Sequence, residues 1–180
     1  MSKTYSAAEI QKQLARFSLI ADQWECQKLH ERYWYSEATH DSEAILALFT
    51  EDARYGPHDG KAAIRAYVSN VATTLKHVVE NFHIVPVIPE IKVDGDVATG
   101  EVRGVGFIRV RKPDGEIKVI VLGIGYEDEF RRTPGGWRIS KMRGIECGWS
   151  DMHDTTWMFE ATPSKGDHEV HLDKSHVTGR

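Results

Sequence analysis

A chain of 180 residues, 41% of them hydrophobic, is long enough to bury one sizeable core and short for two. A formal charge of -4 and a pI near 6.1 argue against the basic stripe of a nucleic-acid binder. Cys26 and Cys147, without C-x-x-C spacing, suggest neither a disulfide framework nor a cysteine zinc cage, which suits a reducing cytosol.

The opening "MSKTYSAAEIQ" lacks the basic head and apolar stretch of a secretory signal, and no run approaches bilayer-spanning length, so the chain is expected to be cytoplasmic, without a membrane partner. Ser6 with Glu9 forms a capping-box signature, and Ile10, Leu14 and Phe17 follow at helical spacing, which predicts a helix over 6–17. Asp22 with Glu25 repeats the signature, predicting a second helix to about residue 38 with Cys26, Leu29 and Tyr33 on one face. Asp41 or Ser42 opens a short helix bearing Ile45, Leu48 and Phe49, and Asp59 precedes another whose Ile64, Val68, Val71 and Leu75 share a face. On this reading the first half is helical.

From residue 77 the texture changes to "HVVENFHIVPVIPEIKV", "VATGEVRGVGFIRVR", "IKVIVLGIGYEDEF" and "WRISKMRGIECGW", rich in β-branched and aromatic residues. The turn sequences "VDGD", "KPDG" and "TPGG" separate these strands, so an antiparallel meander follows the helices. The expected fold class is α+β, with N-terminal helices packed in a curved antiparallel sheet. Residues 1–155 are expected to form a single domain, and 156–180 a polar tail whose His168, His171 and His176 are solvated.

The order of "AILALFTEDARY", "GKAAIRAYV", His77 at the head of a strand, "VDGDVATGEV" and "GGWRISKMR" resembles the NTF2-like superfamily, SnoaL-like branch, over about residues 19–151. The resemblance implies a cone: a bent sheet wrapped over helices, with a pocket at the wide end. Such relatives include scytalone and bile-acid dehydratases, isomerases, polyketide cyclases, a dehydrochlorinase, lignin-dimer formaldehyde lyases and non-catalytic binding proteins, so fold alone decides nothing.

In the dehydratase relatives a histidine and a helix-end aspartate remove a proton together. The resemblance places that histidine at His77, whose neutral imidazole can accept a proton near pH 7, against the alternative of a hydrogen-bonded structural histidine. The aspartate position falls on Ala38, so the usual dyad is broken. Asp41 stands in as a candidate catalytic carboxylate, with capping of the next helix as its competing role. Tyr33, five residues before Ala38, matches a pocket-facing position and can donate a proton or pack in the core. Trp34 and Tyr35 diverge from its face and are expected in packing or subunit contacts.

Tyr55 matches a pocket aromatic of these relatives, and His58 lies in a "YGPHDG" loop near the expected mouth. Both are candidate substrate contacts, His58 against the alternative of a solvated loop residue. Family positions after "TPGG" put Met142 and Glu146 inward, making Glu146 a candidate acid or base unless it pairs with an arginine. Arg143 faces outward by alternation unless a bulge near Gly144 reverses it. On the preceding strand Ile120, Leu122, Ile124 and Tyr126 share one parity, an apolar wall ending in a phenol that suits an aromatic ligand. For residues 97–111 the inward face is either Val102 with Gly104, Gly106 and Ile108, or the alternating set. His77 and His83 lack a third ligand, so no metal site is expected, and no cofactor.

The function expected is a cofactor-independent lyase acting on a small aromatic, phenolic substrate, lignin-derived compounds included, by acid–base elimination, dehydration or retro-aldol release of a small aldehyde. The alternatives are an isomerase or polyketide cyclase using the same pocket, and a non-catalytic small-molecule binding module. The resemblance also implies a homodimer or higher homo-oligomer paired through the outer sheet face.

Overall fold

The computed structural model describes residues 5–149, without the side chains of 88, 89 and 146–149. The tail predicted over 156–180, with its three histidines, lies outside the described residues.

Chain order is α1 (Ala7–Ala38), α2 (Ser42–Ala47), β1 (Phe49–Tyr55), β2 (His58–Asp59), α3 (Lys61–Leu75), β3 (Val79–Asp94), β4 (Val97–Arg111), β5 (Ile117–Thr133) and β6 (Gly136–Trp149). The two helices expected over 6–38 are one. The Ser6–Glu9 capping box forms as read, but nothing between Phe17 and Asp22 breaks a helix, so Asp22 never becomes a cap. Its carboxylate instead anchors α1 to the β5–β6 hairpin, accepting from Trp137 Nε1 at 3.1 Å and pairing with Arg132 at 2.8 Å. Arg132 holds the Asp22 carboxyl below its ordinary range.

One curved, unclosed sheet runs in the order β2-β1-β6-β5-β4-β3. β3 to β6 form the predicted antiparallel meander, with Gly95, Gly115 and Gly136 at positive φ in its three turns. The helical reading of the first half misses β1, which pairs parallel with β6 and makes the sheet mixed. Phe49, expected on a helix, starts that strand: α2 ends at Ala47, and burial of Phe49 and Ala53 against the core outweighs local helical preference.

The parity left open on β4 resolves toward the set containing Val102 and Ile108, both buried and in register with Tyr126 and Ile120. On that face Gly104 lets α1 approach closely, because a Cβ there would lie 2.8 Å from Ile84 Cγ2 and 3.1 Å from Trp34 Cη2. The core sits between this face and the helices. The N-terminal part of α1 lies off the sheet, and Ile10, Leu14 and Phe17 are exposed.

Candidate functional site

The wall of α1 that faces the sheet carries His30, Tyr33, Trp34 and Glu37. Spacings of three, four and seven residues put them on one stripe. Tyr33 is 1% exposed, and its hydroxyl donates to Glu37 Oε1 at 2.9 Å. It also lies 2.7 Å from the Tyr55 hydroxyl at the end of β1. Since the Tyr33 hydrogen is committed to Glu37, Tyr55 donates to Tyr33. Tyr126 and Tyr67 complete the group, their rings 6.0 Å from Tyr33 and 5.4 Å from Tyr55. Burial pushes the phenols of Tyr33, Tyr55 and Tyr126 well above their ordinary range, so they stay protonated as donors.

Burial likewise raises the Glu37 carboxyl to about 7, against the lowering effect of the Tyr33 hydrogen bond. Glu37 stands at one wall of a narrow cavity closed by Tyr33, His40, Ile45 and the α3 residues Tyr67, Val68, Val71 and Leu75. Its volume is about 20 Å³, room for about one water molecule. A carboxyl poised near neutrality beside a phenol and an apolar wall is able to give or take a proton there.

Deeper along the same stripe, His30 Nδ1 lies 2.7 Å from Asp128 Oδ2. Their side chains are 1% and 0% exposed. His30 packs edge-on against Trp34, with ring centroids 4.4 Å apart, and tilted against Tyr126 at 5.1 Å. Trp34 is therefore a core residue beside Tyr33, since the buried stripe is wider than 100°, whereas Tyr35 is 73% exposed.

Tyr33, Tyr55, Tyr126 and Met142 arrive in the interior as the sequence suggests, Met142 being fully buried. Leu122 is buried at the far end of the same face, Ile124 is partly buried against it, and His58 stacks on Tyr67 at 4.4 Å. His77, Asp41 and Arg143 go elsewhere. His77 is not on a strand: it lies exposed in the turn between α3 and β3 and lines none of the described cavities, because α3 runs to Leu75 and pairing begins at Val79. Asp41 caps α2, its Oδ1 accepting from Ala44 N at 2.9 Å. Arg143 is exposed and paired with Glu127. A register shift beside Tyr126 puts the Glu146 backbone opposite Gly125 rather than on the Tyr126 row, and its side chain lies outside the described residues. Among the described residues no three or more His, Cys, Asp or Glu gather as for a metal.

Sequence reasoning missed Glu37, His30 and Asp128, although each left a signal. Glu37 is one residue before Ala38, the vacant carboxylate position, and Asp128 simply continues the Ile120 to Tyr126 parity by one step. His30 lies on the helical stripe of Tyr33. A more open cleft of about 280 Å³ is lined by Glu90, Lys92, Glu101, Lys141 and other charged residues, several already in ion pairs, with the buried Asp128 also in its lining.

His40 also lines the narrow cavity, at φ 56. It ends α1 in a left-handed turn, with Asp41 N donating to Ser36 O at 2.9 Å and His40 N to Glu37 O at 3.1 Å. A side chain there carries backbone strain that glycine avoids. A His40→Gly variant is expected to gain about 0.5–1 kcal/mol in urea unfolding, the relief of strain exceeding the added chain entropy.

The family model of the SnoaL-like domain matches residues 8–143. An uncharacterised protein of Mycobacterium tuberculosis is 27% identical over 149 residues, covering 78% of this chain and 95% of the relative. An NTF2-like protein with a cystatin-like fold from Novosphingobium aromaticivorans is 26% identical, with a TM-score of 0.60 over 77% of this chain and 90% of that one. The structure of LinA, 15% identical with a TM-score of 0.60 over 76% and 90%, shares the fold alone.

Proposed function

The chain belongs to the SnoaL-like domain family, and from that premise we propose that it is a cofactor-independent lyase in which Glu37 acts as general acid toward the leaving group of a small aromatic substrate. One observation carries this: the Glu37 carboxyl, bonded to Tyr33 and raised to about 7, stands beside an apolar cavity next to the position where the dehydratase relatives hold their aspartate. A carboxyl with that pKa is about half protonated at neutral pH, which suits it to protonate a departing oxygen. Tyr33 and Tyr55 steady it, and on this reading entry of a ring requires α3, whose Val68, Val71 and Leu75 form the apolar wall of a cavity of about 20 Å³, to move outward.

The groups facing Glu37 are Tyr33 and His40 on its own segment, Tyr55 on β1, Tyr67 on α3 and Tyr126 on β5. With the phenols protonated, Glu37 governs the alkaline limb, and turnover of 4-hydroxybenzylic alcohols is expected to fall as pH rises through about 7. Glu37→Gln is expected to slow release of water or aldehyde about 10²-fold or more, while His77→Ala stays near wild type. Undiminished turnover by Glu37→Gln sinks the reading. A binding module is the second reading, favoured by the small cavity, and it expects the ligand to be recovered unchanged.

Val85, Val105, Phe107 and Val119 are exposed on the outer face of β3 to β5, and we propose that this face pairs two copies. Phe107→Glu is then expected to elute as a monomer in size-exclusion chromatography with light scattering, and an unchanged mass at equal concentration counts against the pairing.

A further inference from the structure

Two acceptor atoms are stranded in the interior. His30 Nδ1 is bound to Asp128 Oδ2, but His30 Nε2 and Asp128 Oδ1 have no hydrogen-bond partner among the described residues, nor has the neighbouring donor Trp34 Nε1. Buried polar atoms are nearly always satisfied, and orphans concentrated in one nest point to an absent partner. A carboxylate bound to Nδ1 requires the proton on that nitrogen, so Nε2 of the neutral ring presents a lone pair.

The nest also limits what fills it. A hydroxyl group, which carries one hydrogen, can donate to His30 Nε2 while accepting from Trp34 Nε1, and it leaves Asp128 Oδ1 to a second donor; a carboxylate or phosphate would instead face the Asp128 carboxylate. Trp34, Tyr126 and Tyr33 surround His30 with rings, the last at 5.7 Å between centroids. Glu37 lies seven residues farther along the same stripe, about 10 Å along the helix axis. That span matches the length of a ring with a hydroxyl at one end and a benzylic substituent at the other, and such a ring enters only as the Tyr33 and Tyr126 side chains packed there give way.

We propose that His30 is the base of this site and Asp128 the residue that positions it, Nε2 taking the hydroxyl hydrogen of a neutral hydroxyaryl ligand whose opposite substituent reaches Glu37. This rests on Glu37 acting as the acid. The O–H bond breaks toward Nε2, the electron pair moves through the ring to form a quinone methide, and the benzylic C–O bond breaks as the Glu37 proton joins the departing oxygen. Water leaves with no oxidant consumed, and transfer of one proton from His30 back to Glu37 resets the pair.

The test compares 4-hydroxybenzyl alcohol with 4-methoxybenzyl alcohol, which lacks the ring hydroxyl. Wild-type protein is expected to bind the hydroxy probe about tenfold more tightly by titration calorimetry. His30→Phe and Asp128→Asn are expected to lose that preference, whereas Glu37→Gln keeps it and loses only water release. In wild-type protein, which needs no substitution, 15N spectra of labelled histidine are expected to show Nε2 unprotonated and shifted upfield by the hydroxy probe. A preference that survives His30→Phe, an Nε2–H tautomer in the free protein, or equal binding of the probes overturns the proposal. A His30-dependent preference without turnover in wild type upholds His30 as the hydroxyl acceptor and overturns its role as base together with that of Glu37 as acid. Binding of neither probe overturns both.

Discussion

Asp128→Ala is expected to destabilise the protein by about 3–5 kcal/mol, the usual cost of removing one partner from a buried pair. The His30 side chain is 1% exposed, and its Nε2 already has no partner among the described residues. Losing the carboxylate would strand both ring nitrogens in a nest of aromatic side chains. A domain of ordinary stability has only about 5–15 kcal/mol in total, so the variant should unfold at markedly lower urea concentration. The double replacement His30→Phe with Asp128→Leu removes both polar groups and is expected to recover most of the loss, because two apolar side chains need no desolvated partner. A loss below about 1 kcal/mol for Asp128→Ala, or no recovery in the double variant, contradicts a buried pair.

Glu37→Gln has a second consequence that needs no substrate. The unfolded carboxyl titrates near 4.5 and the folded one near 7, so the folded state holds more protons between those values. Stability therefore falls as pH rises from about 4.5 to about 7 and is level above it. Full burial would make the drop roughly 3 kcal/mol. Glu37 keeps partial contact with solvent, so about 2 kcal/mol is expected after screening. Glu37→Gln should flatten this window, matching wild type near pH 4 and exceeding it by about 2 kcal/mol at pH 8. The lowered carboxyls of Asp22 and Asp52 act in the opposite sense, their contribution being lost only as pH falls below the ordinary aspartate range. Urea midpoints at pH 4, 6 and 8 separate the two, and a wild-type midpoint unchanged from pH 4.5 to 7 would exclude a raised Glu37.

Much of the fold was written locally. The glycines of "VDGD", "KPDG" and "TPGG" place the three hairpins because positive φ is inexpensive only for glycine, and the alternation of Ile120, Leu122 and Tyr126 names the inward face of β5 because side chains alternate every residue. The same alternation, carried one step on, reaches Asp128. Toward Glu146, whose side chain lies outside the described residues, a backbone register shift interrupts the count, and a shift of one residue leaves too faint a trace to read from composition.

Local chemistry by itself determined the Ser6 and Asp41 caps, the turns, the strand order of the meander and the α+β class, since each depends on contacts among near neighbours in the chain. Tertiary structure alone decided that α1 runs unbroken through Asp22, that β1 pairs parallel with β6, that His77 stays in solvent, and that His30 meets Asp128 across 98 residues. Those outcomes depend on which desolvated groups find partners far along the chain, and burial, unlike a turn, has no short-range signature.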